Sequence, residues 1–235
     1  RTHLFVVESG WAKLYRTLID GQRQVVGFCN GGSILGMEGG DSHSNACEAV
    51  TPVKVRAIPI GRIPELCLRD PELAGQLLSQ MGRRLGSAQA QLTTVGAQSA
   101  DQKLATFLLA FAEYGASEDG EFDLPMRRGD IGEFLGLRLE TVSRKLSDFQ
   151  RRKWVRMVSL YRCVILDREA LDLRTQRGDL GLGQVLDLGL RLDARGVAGV
   201  AGLGAADAVD GREAHPDVLV HRNVDAGDTG HVRLS

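Results

Sequence analysis

Hydrophobic and polar positions change their period twice along this chain. Up to about residue 60 the apolar residues come in short runs separated by turn residues, as in LFVVESG, WAKLYRTLIDGQRQVVGFC and VKVRAIPI, which is the pattern of short antiparallel strands. Asp20-Gly21 between two of these runs predicts a hairpin closed by a type I′ turn, with positive φ at both central positions. From Asp70 the period lengthens. Ala74, Leu78, Met81, Leu85, Ala88, Leu92 and Val95 follow in steps of four and three, the seam of a long amphipathic helix. That seam either packs the helix on its own β domain or pairs it with the same helix of a second copy, and the parallel dimer is expected.

ADQKLATFLLAFAEYG predicts a further helix, apolar at Leu104, Phe107, Leu108 and Phe111, and ASEDGEFDLP a loop with room for a short strand. RRGDIGEFLGL reads as a short helix with Ile131, Phe134 and Leu135 inward, closed by Gly136. A second helix follows in LRLETVSRKLSDFQ, where Leu139, Val142, Leu146 and Phe149 form the apolar stripe. Two helices joined by a tight glycine turn make a helix-turn-helix, whose second helix enters the major groove. RRKWVRMVSLYRCVILD then predicts a β-hairpin, the wing.

The fold class is therefore α+β: an antiparallel β domain over 1–69, a dimerisation helix over 70–97, a winged helix-turn-helix over 98–175, and a tail over 176–235. The tail has no Lys, Ile, Met, Cys, Phe, Trp or Tyr. Its composition fits either a frame-shifted reading of GC-rich DNA or a natural disordered extension, and neither gives a packed core. Because the sequence opens on Arg1 and enters a strand almost at once, a further N-terminal portion is expected.

Composition narrows the class without choosing a function. With 235 residues, 43% hydrophobic and 25% charged, the chain reads as an ordinary globular protein. No apolar run approaches the ~18 residues of a membrane span, so a cytoplasmic protein without a membrane partner is expected. Cys29, Cys47, Cys67 and Cys163 form no C-x-x-C pair, which points away from a zinc knuckle and from a disulfide framework. The net charge of −1 gives a nucleic-acid binder no support. Its distribution does: between Arg138 and Arg162 stand Arg144, Lys145, Arg151, Arg152, Lys153 and Arg156, opposed by Glu140 and Asp148 alone. Such a local excess is the electrostatic footprint of phosphate contact.

The polar face of the second helix carries the specific chemistry. An arginine such as Arg144 donates two hydrogen bonds to O6 and N7 of guanine, a carboxylate such as Glu140 accepts from the cytosine amine, and Ser143 can do either. Arg138 and Ser147 flank them, and Arg151, Arg152 and Lys153 are expected to contact phosphates. The competing reading is an i, i+4 surface ion pair between Glu140 and Arg144, worth ~0.3 to 0.5 kcal/mol.

In its order of β domain, long helix and winged helix-turn-helix, the chain resembles the CRP/FNR superfamily of bacterial transcription regulators. RRGDIGEFLGL and the E-x-x-S-R of Glu140, Ser143 and Arg144 are similar to the FNR/FixK branch. The resemblance spans about residues 4–174. It implies a β-roll as the β domain, and a homodimer bound to double-stranded DNA at an inverted repeat of TTGAT half-sites. It also implies contact with RNA polymerase and oxygen- or redox-related control. Glu140, Ser143 and Arg144 would read the bases. Cyclic-nucleotide-binding members carry an Arg-Ser or Arg-Thr pair after the glycine-rich turn. Here GMEGGDSHSNACEAV has His43-Ser44 at that place, so a cyclic-nucleotide-responsive regulator is the alternative reading, opposed by the absent arginine. Iron–sulfur members use a cysteine two residues before an Ile-Pro, where Arg56 stands here. No cofactor is expected, and an iron–sulfur cluster is left open by the expected N-terminal portion. Arg138 replaces the Ser or Thr that would cap the recognition helix, a loss of ~1 kcal/mol.

Two further readings complete the set. His43 and Cys47 as metal ligands on a cupin-like domain would make an enzyme, although a site needs three or four convergent ligands, and no enzyme is expected. Cys163, beside Arg162 in the basic wing, is the redox candidate, since a positive neighbour lowers a thiol pKa. Its rival role is a small buried hydrophobe in RCVIL.

Overall fold

The computed structural model describes residues 1–37, 40–94, 98–117, 119–175 and 190–191, without the side chains of 80, 83, 84, 87–94, 114, 190 and 191. The described residues divide into two compact units, 1–16 with 27–84 and 190–191, and 17–26 with 85–175.

The first six strands are β1 (His3–Ser9), β2 (Ala12–Thr17), β3 (Arg23–Cys29), β4 (Ser33–Leu35), β5 (Ala46–Ala49) and β6 (Lys54–Pro59). β1 lies between β4 and β6, and β2 lies between β3 and β5. The β1–β4, β1–β6 and β2–β5 pairs are antiparallel. The turn joining β2 to β3 is not type I′. Gly21 has φ 82° while Asp20 keeps a negative φ, Gly21 N–H donates to Leu18 O at 2.9 Å, and Leu18 N–H donates to Gln22 O at 2.8 Å. The loop therefore has three residues ending on a left-handed glycine, and the Asp20 carboxylate accepts from Gln22 N–H at 3.0 Å. Asp-Gly marks both turn types, which is why sequence separated them poorly.

A helix the strand pattern concealed, α1 (Ile63–Arg69), precedes α2 (Pro71–Thr94). Asp70 divides them: its backbone leaves the helix, its carboxylate accepts from Leu73 N–H at 3.1 Å, and Pro71 opens α2 where no donor is needed. Leu4, Val6, Ile34, Ile58, Leu66, Leu73 and Leu77 form one core. α2 thus has two apolar stripes. Leu73 and Leu77 are 4% and 8% exposed, while Leu78, Met81 and Leu85 of the expected seam are 71%, 51% and 62% exposed. Ala88, Leu92 and Val95 lie outside the residues whose side chains are described. β10 (Leu190–Arg191) pairs with β4 through Ile34 and Ser33, a local departure from the expected unstructured tail, since a strand edge accepts any free backbone.

In the second unit α3 (Ala100–Gly115) starts at a capping box, in which Gln102 N–H donates to Ser99 Oγ and Ser99 N–H to Gln102 Oε1. Leu104, Phe107, Leu108 and Phe111 are buried as the pattern predicts. β7 (Glu121–Asp123), α4 (Arg128–Leu135), α5 (Leu139–Arg151), β8 (Val155–Ser159), β9 (Arg162–Ile165) and α6 (Arg168–Asp172) follow. α3 packs against α5, α6 and β7. β9 is the middle strand of the β7-β9-β8 sheet.

Candidate nucleic-acid interface

The turn between α4 and α5 sets the interface. Gly136 caps α4 in the left-handed conformation at φ 65°, ψ 40°, which costs glycine nothing. Leu137 N–H then donates back to Gly132 O at 2.8 Å. At its other end α4 is closed by Asp130, which accepts from Arg127 N–H at 3.0 Å. Ile131 and Leu135 are buried, and the half-buried Phe134 packs at a tilt against Phe107, with ring centroids 5.8 Å apart.

α5 buries Val142, Leu146 and Phe149. Leu139, assigned to the same stripe from sequence, is 50% exposed. At about 100° per residue it falls at the edge of the stripe, and its Cδ1 lies 3.6 Å from a Cβ placed on Gly129. On the outer face Glu140, Arg144 and Ser147 are exposed and Ser143 is half-buried. Among the described residues no ion pair joins Glu140 to Arg144, so neither side chain is held by the other. Ser147 Oγ–H donates to Ser143 O at 2.9 Å. The exposed Arg138 precedes the helix with extended backbone and no side-chain cap bond, and its carbonyl accepts from Thr141 and Val142 N–H at 2.9 and 3.1 Å.

The basic run divides into free and engaged cations. Asp148 pairs with Arg151 and, at 2.9 Å, with Arg152. Burial pushes the Asp148 carboxyl up, but the two guanidinium groups outweigh it and leave its pKa below the usual value. Arg152 and Arg174 lie 5.0 and 5.2 Å from the Trp154 ring centroid, a cation–π pair of contacts that apolar periodicity could not reveal. Lys145 meets Asp101 at 2.8 Å. In the wing Arg162 reaches Glu121 at 3.2 Å and Asp123 at 3.7 Å. Lys153 is exposed with φ 59°, and Arg156 is exposed on β8.

Cys163 does not fit the redox expectation. It is wholly buried, and burial pushes its thiol up to about 12. The neighbouring Arg162 is committed to two carboxylates, so the cation that was to favour thiolate is compensated, and Cys163 fills the small-hydrophobe role instead.

The glycine-rich turn of the β domain carries no arginine of its own. Residues 36–45 contain no Arg or Lys. The His43 ring sits 6.2 Å from that of Phe5 and crowds the glycine-rich turn, with Cε1 2.8 Å from where a Cβ on Gly36 would stand. An imidazole there lacks the guanidinium fork that grips a phosphate. The thiol of Cys47 is pushed up to about 12 by burial, and among the described residues no three His, Cys, Asp or Glu come together around it or His43. Arg56 binds Glu8 through Nε at 2.8 Å and Nη2 at 2.6 Å, with Lys54 on the other carboxylate oxygen at 2.8 Å. A paired cation at position 56 does not suit a cluster ligand.

Fold and face together define a winged helix-turn-helix protein with an N-terminal β-roll. Residues 102–174 match the Crp-like helix-turn-helix domain and residues 1–70 the cyclic nucleotide-binding domain. The chain is 34% identical over 176 residues to the electron transport regulator A of Shewanella oneidensis, covering 72% of this chain and 70% of that protein. It is 37% identical over 156 residues to the nitrogen fixation regulation protein FixK of Bradyrhizobium diazoefficiens, covering 64% and 65%. The FixK2 structure from Bradyrhizobium japonicum superposes with a TM-score of 0.70 at 30% identity, over 75% of this chain and 89% of that one. The chain belongs to the CRP/FNR family of regulators. No helix among the described residues is long and apolar enough to cross a membrane.

Proposed function

We propose that this protein is a dimeric transcription regulator that reads an inverted repeat of TTGAT half-sites through α5, in oxygen- or redox-related control. The observation that carries the reading is the outer face of α5. Glu140 and Arg144 are exposed one turn apart, on a helix anchored by Val142, Leu146 and Phe149. Ser143 lies within that turn and Ser147 one turn beyond it, Arg138 stands at the groove entrance, and Lys153 with Arg151 serves the phosphates. Control of electron transport and of nitrogen fixation by the named relatives supports the physiological part.

The exposed stripe of Leu78, Met81 and Leu85 supports the dimer, since half-sites related by a dyad call for a two-fold protein. Contact with RNA polymerase and a cytoplasmic location follow from the same reading. Salt titrations on the TTGAT repeat and on random DNA test it. Arg144→Ala should weaken specific binding by ~1 to 3 kcal/mol, leaving random DNA and the salt slope almost unchanged. Equal weakening of both DNAs would make Arg144 a phosphate contact only.

A further inference from the structure

Lys145 belongs to α5 and to the basic run, yet it serves neither face of the helix. Helical geometry sets it about 100° round the axis from Arg144, on the flank of the apolar stripe. Its ammonium lies 2.8 Å from Asp101 Oδ1, with side chains 28% and 29% exposed. Oδ1 itself is sealed from solvent, so the ammonium beside it provides its charge compensation. Asp101 stands in the first turn of α3, two residues before Lys103, whose Nζ donates to Leu135 O at 3.2 Å. One turn of α3 thereby grips both helices of the motif, α4 by its last carbonyl and α5 by its flank.

We propose that Asp101 is a positioning residue for base readout: through Lys145 it fixes the roll of α5 about its own axis, and so the direction in which Glu140 and Arg144 leave the helix. The inference rests on the reading of α5 as the base-reading helix. An apolar stripe alone lets a helix roll within its groove, whereas a recognition constellation tolerates only about 10 to 20°. A charge pair on one flank resists that roll. It also removes Lys145 from the phosphate contacts, despite its place in the basic run.

The test uses the whole chain and a duplex that wild type selects from a random pool, so that it does not depend on any assumed half-site. Anisotropy titrations on this duplex and on random DNA, at several salt concentrations, give a specificity ratio and a salt slope. Asp101→Asn and Lys145→Gln should each lower the ratio about 3- to 10-fold, and the double variant no further than either single. Lys145→Arg should keep the ratio, and Lys145→Gln should leave the slope on random DNA unchanged. A slope lowered by about one unit would make Lys145 a phosphate contact and overturn the proposal. Additive losses in the double variant, or unchanged ratios in the folded singles, would overturn it as well. Should Asp101→Asn unfold the domain, Lys145→Gln and Lys145→Arg give the same decision. If wild type selects no sequence at all, base reading by α5 falls and this proposal with it.

Discussion

A Cβ placed on Gly132 would stand 2.6 Å from the carbonyl oxygen of Leu137. The close approach exists because Leu137 N–H turns back to Gly132 O across the glycine turn, and backbone cannot yield as a side-chain tip can. Gly132→Ala is expected to destabilise the domain by ~1 to 3 kcal/mol, the usual cost of overpacking, despite alanine's better helix propensity. Urea unfolding checks this, and an unchanged midpoint would mean that the turn can open.

Lys153 separates charge from backbone strain. It closes α5 with φ 59°, its N–H donating to Gln150 O and that of Trp154 to Phe149 O, both at 3.0 Å. Lys153→Gly and Lys153→Ala should weaken binding to any DNA alike and lower the salt slope by about one unit. Only the glycine variant should gain stability, by ~1 kcal/mol, because a non-glycine residue pays for the left-handed region. Thermal melting beside salt titration distinguishes the two effects.

Leu77 and Leu85, both on α2, should respond differently to charge. Leu85→Glu is expected to give folded monomers in sedimentation, because this side chain is solvent-exposed within the single chain. Leu77→Glu should unfold the β domain, because Leu77 is part of its core and an unpaired buried carboxylate is strongly unfavourable. A dimer that persists in Leu85→Glu would place the interface elsewhere.

The raised thiol pKa of Cys163 has a definite sign. The native state holds the thiol proton more tightly than the unfolded chain, where thiols titrate near ~8.5. The associated stability is complete below that pH and is lost as pH rises toward about 12. Iodoacetamide at pH 8 should therefore leave Cys163 unmodified in the native protein and label it in urea, as mass spectrometry of the peptides would show. Rapid native labelling would restore it as a redox candidate.

Sequence carried the winged motif because its signals are local. Gly136 closes α4, and the stripe of Val142, Leu146 and Phe149 turns Glu140 and Arg144 outward. Periodicity was less informative on α2, where Leu73 and Leu77 occupy a second stripe that the longer seam overshadowed. The short helix α1 escaped because seven residues leave little room for a period to declare itself. The partners of the cations were hidden for another reason. Asp101 and Lys145 are distant in sequence, as are Arg162 and Glu121, and a charge shows its sign in the sequence but not its neighbour. Hence Cys163 reads as reactive beside Arg162, and Lys145 counts toward the basic run although it faces Asp101.

The central place of β9 bears on how a duplex would be accommodated. Arg162–Ile165 is bonded to β7 on one side and β8 on the other, so the wing cannot flap as a free hairpin would. Amide exchange at Cys163 and Val164 should require opening of the whole sheet, and should be slow beside that of the outward-facing amides of β8. A duplex pressed against such a wall meets little give from the protein. Adjustment of fit then falls to the nucleic acid, and target choice becomes sensitive to how easily a sequence bends.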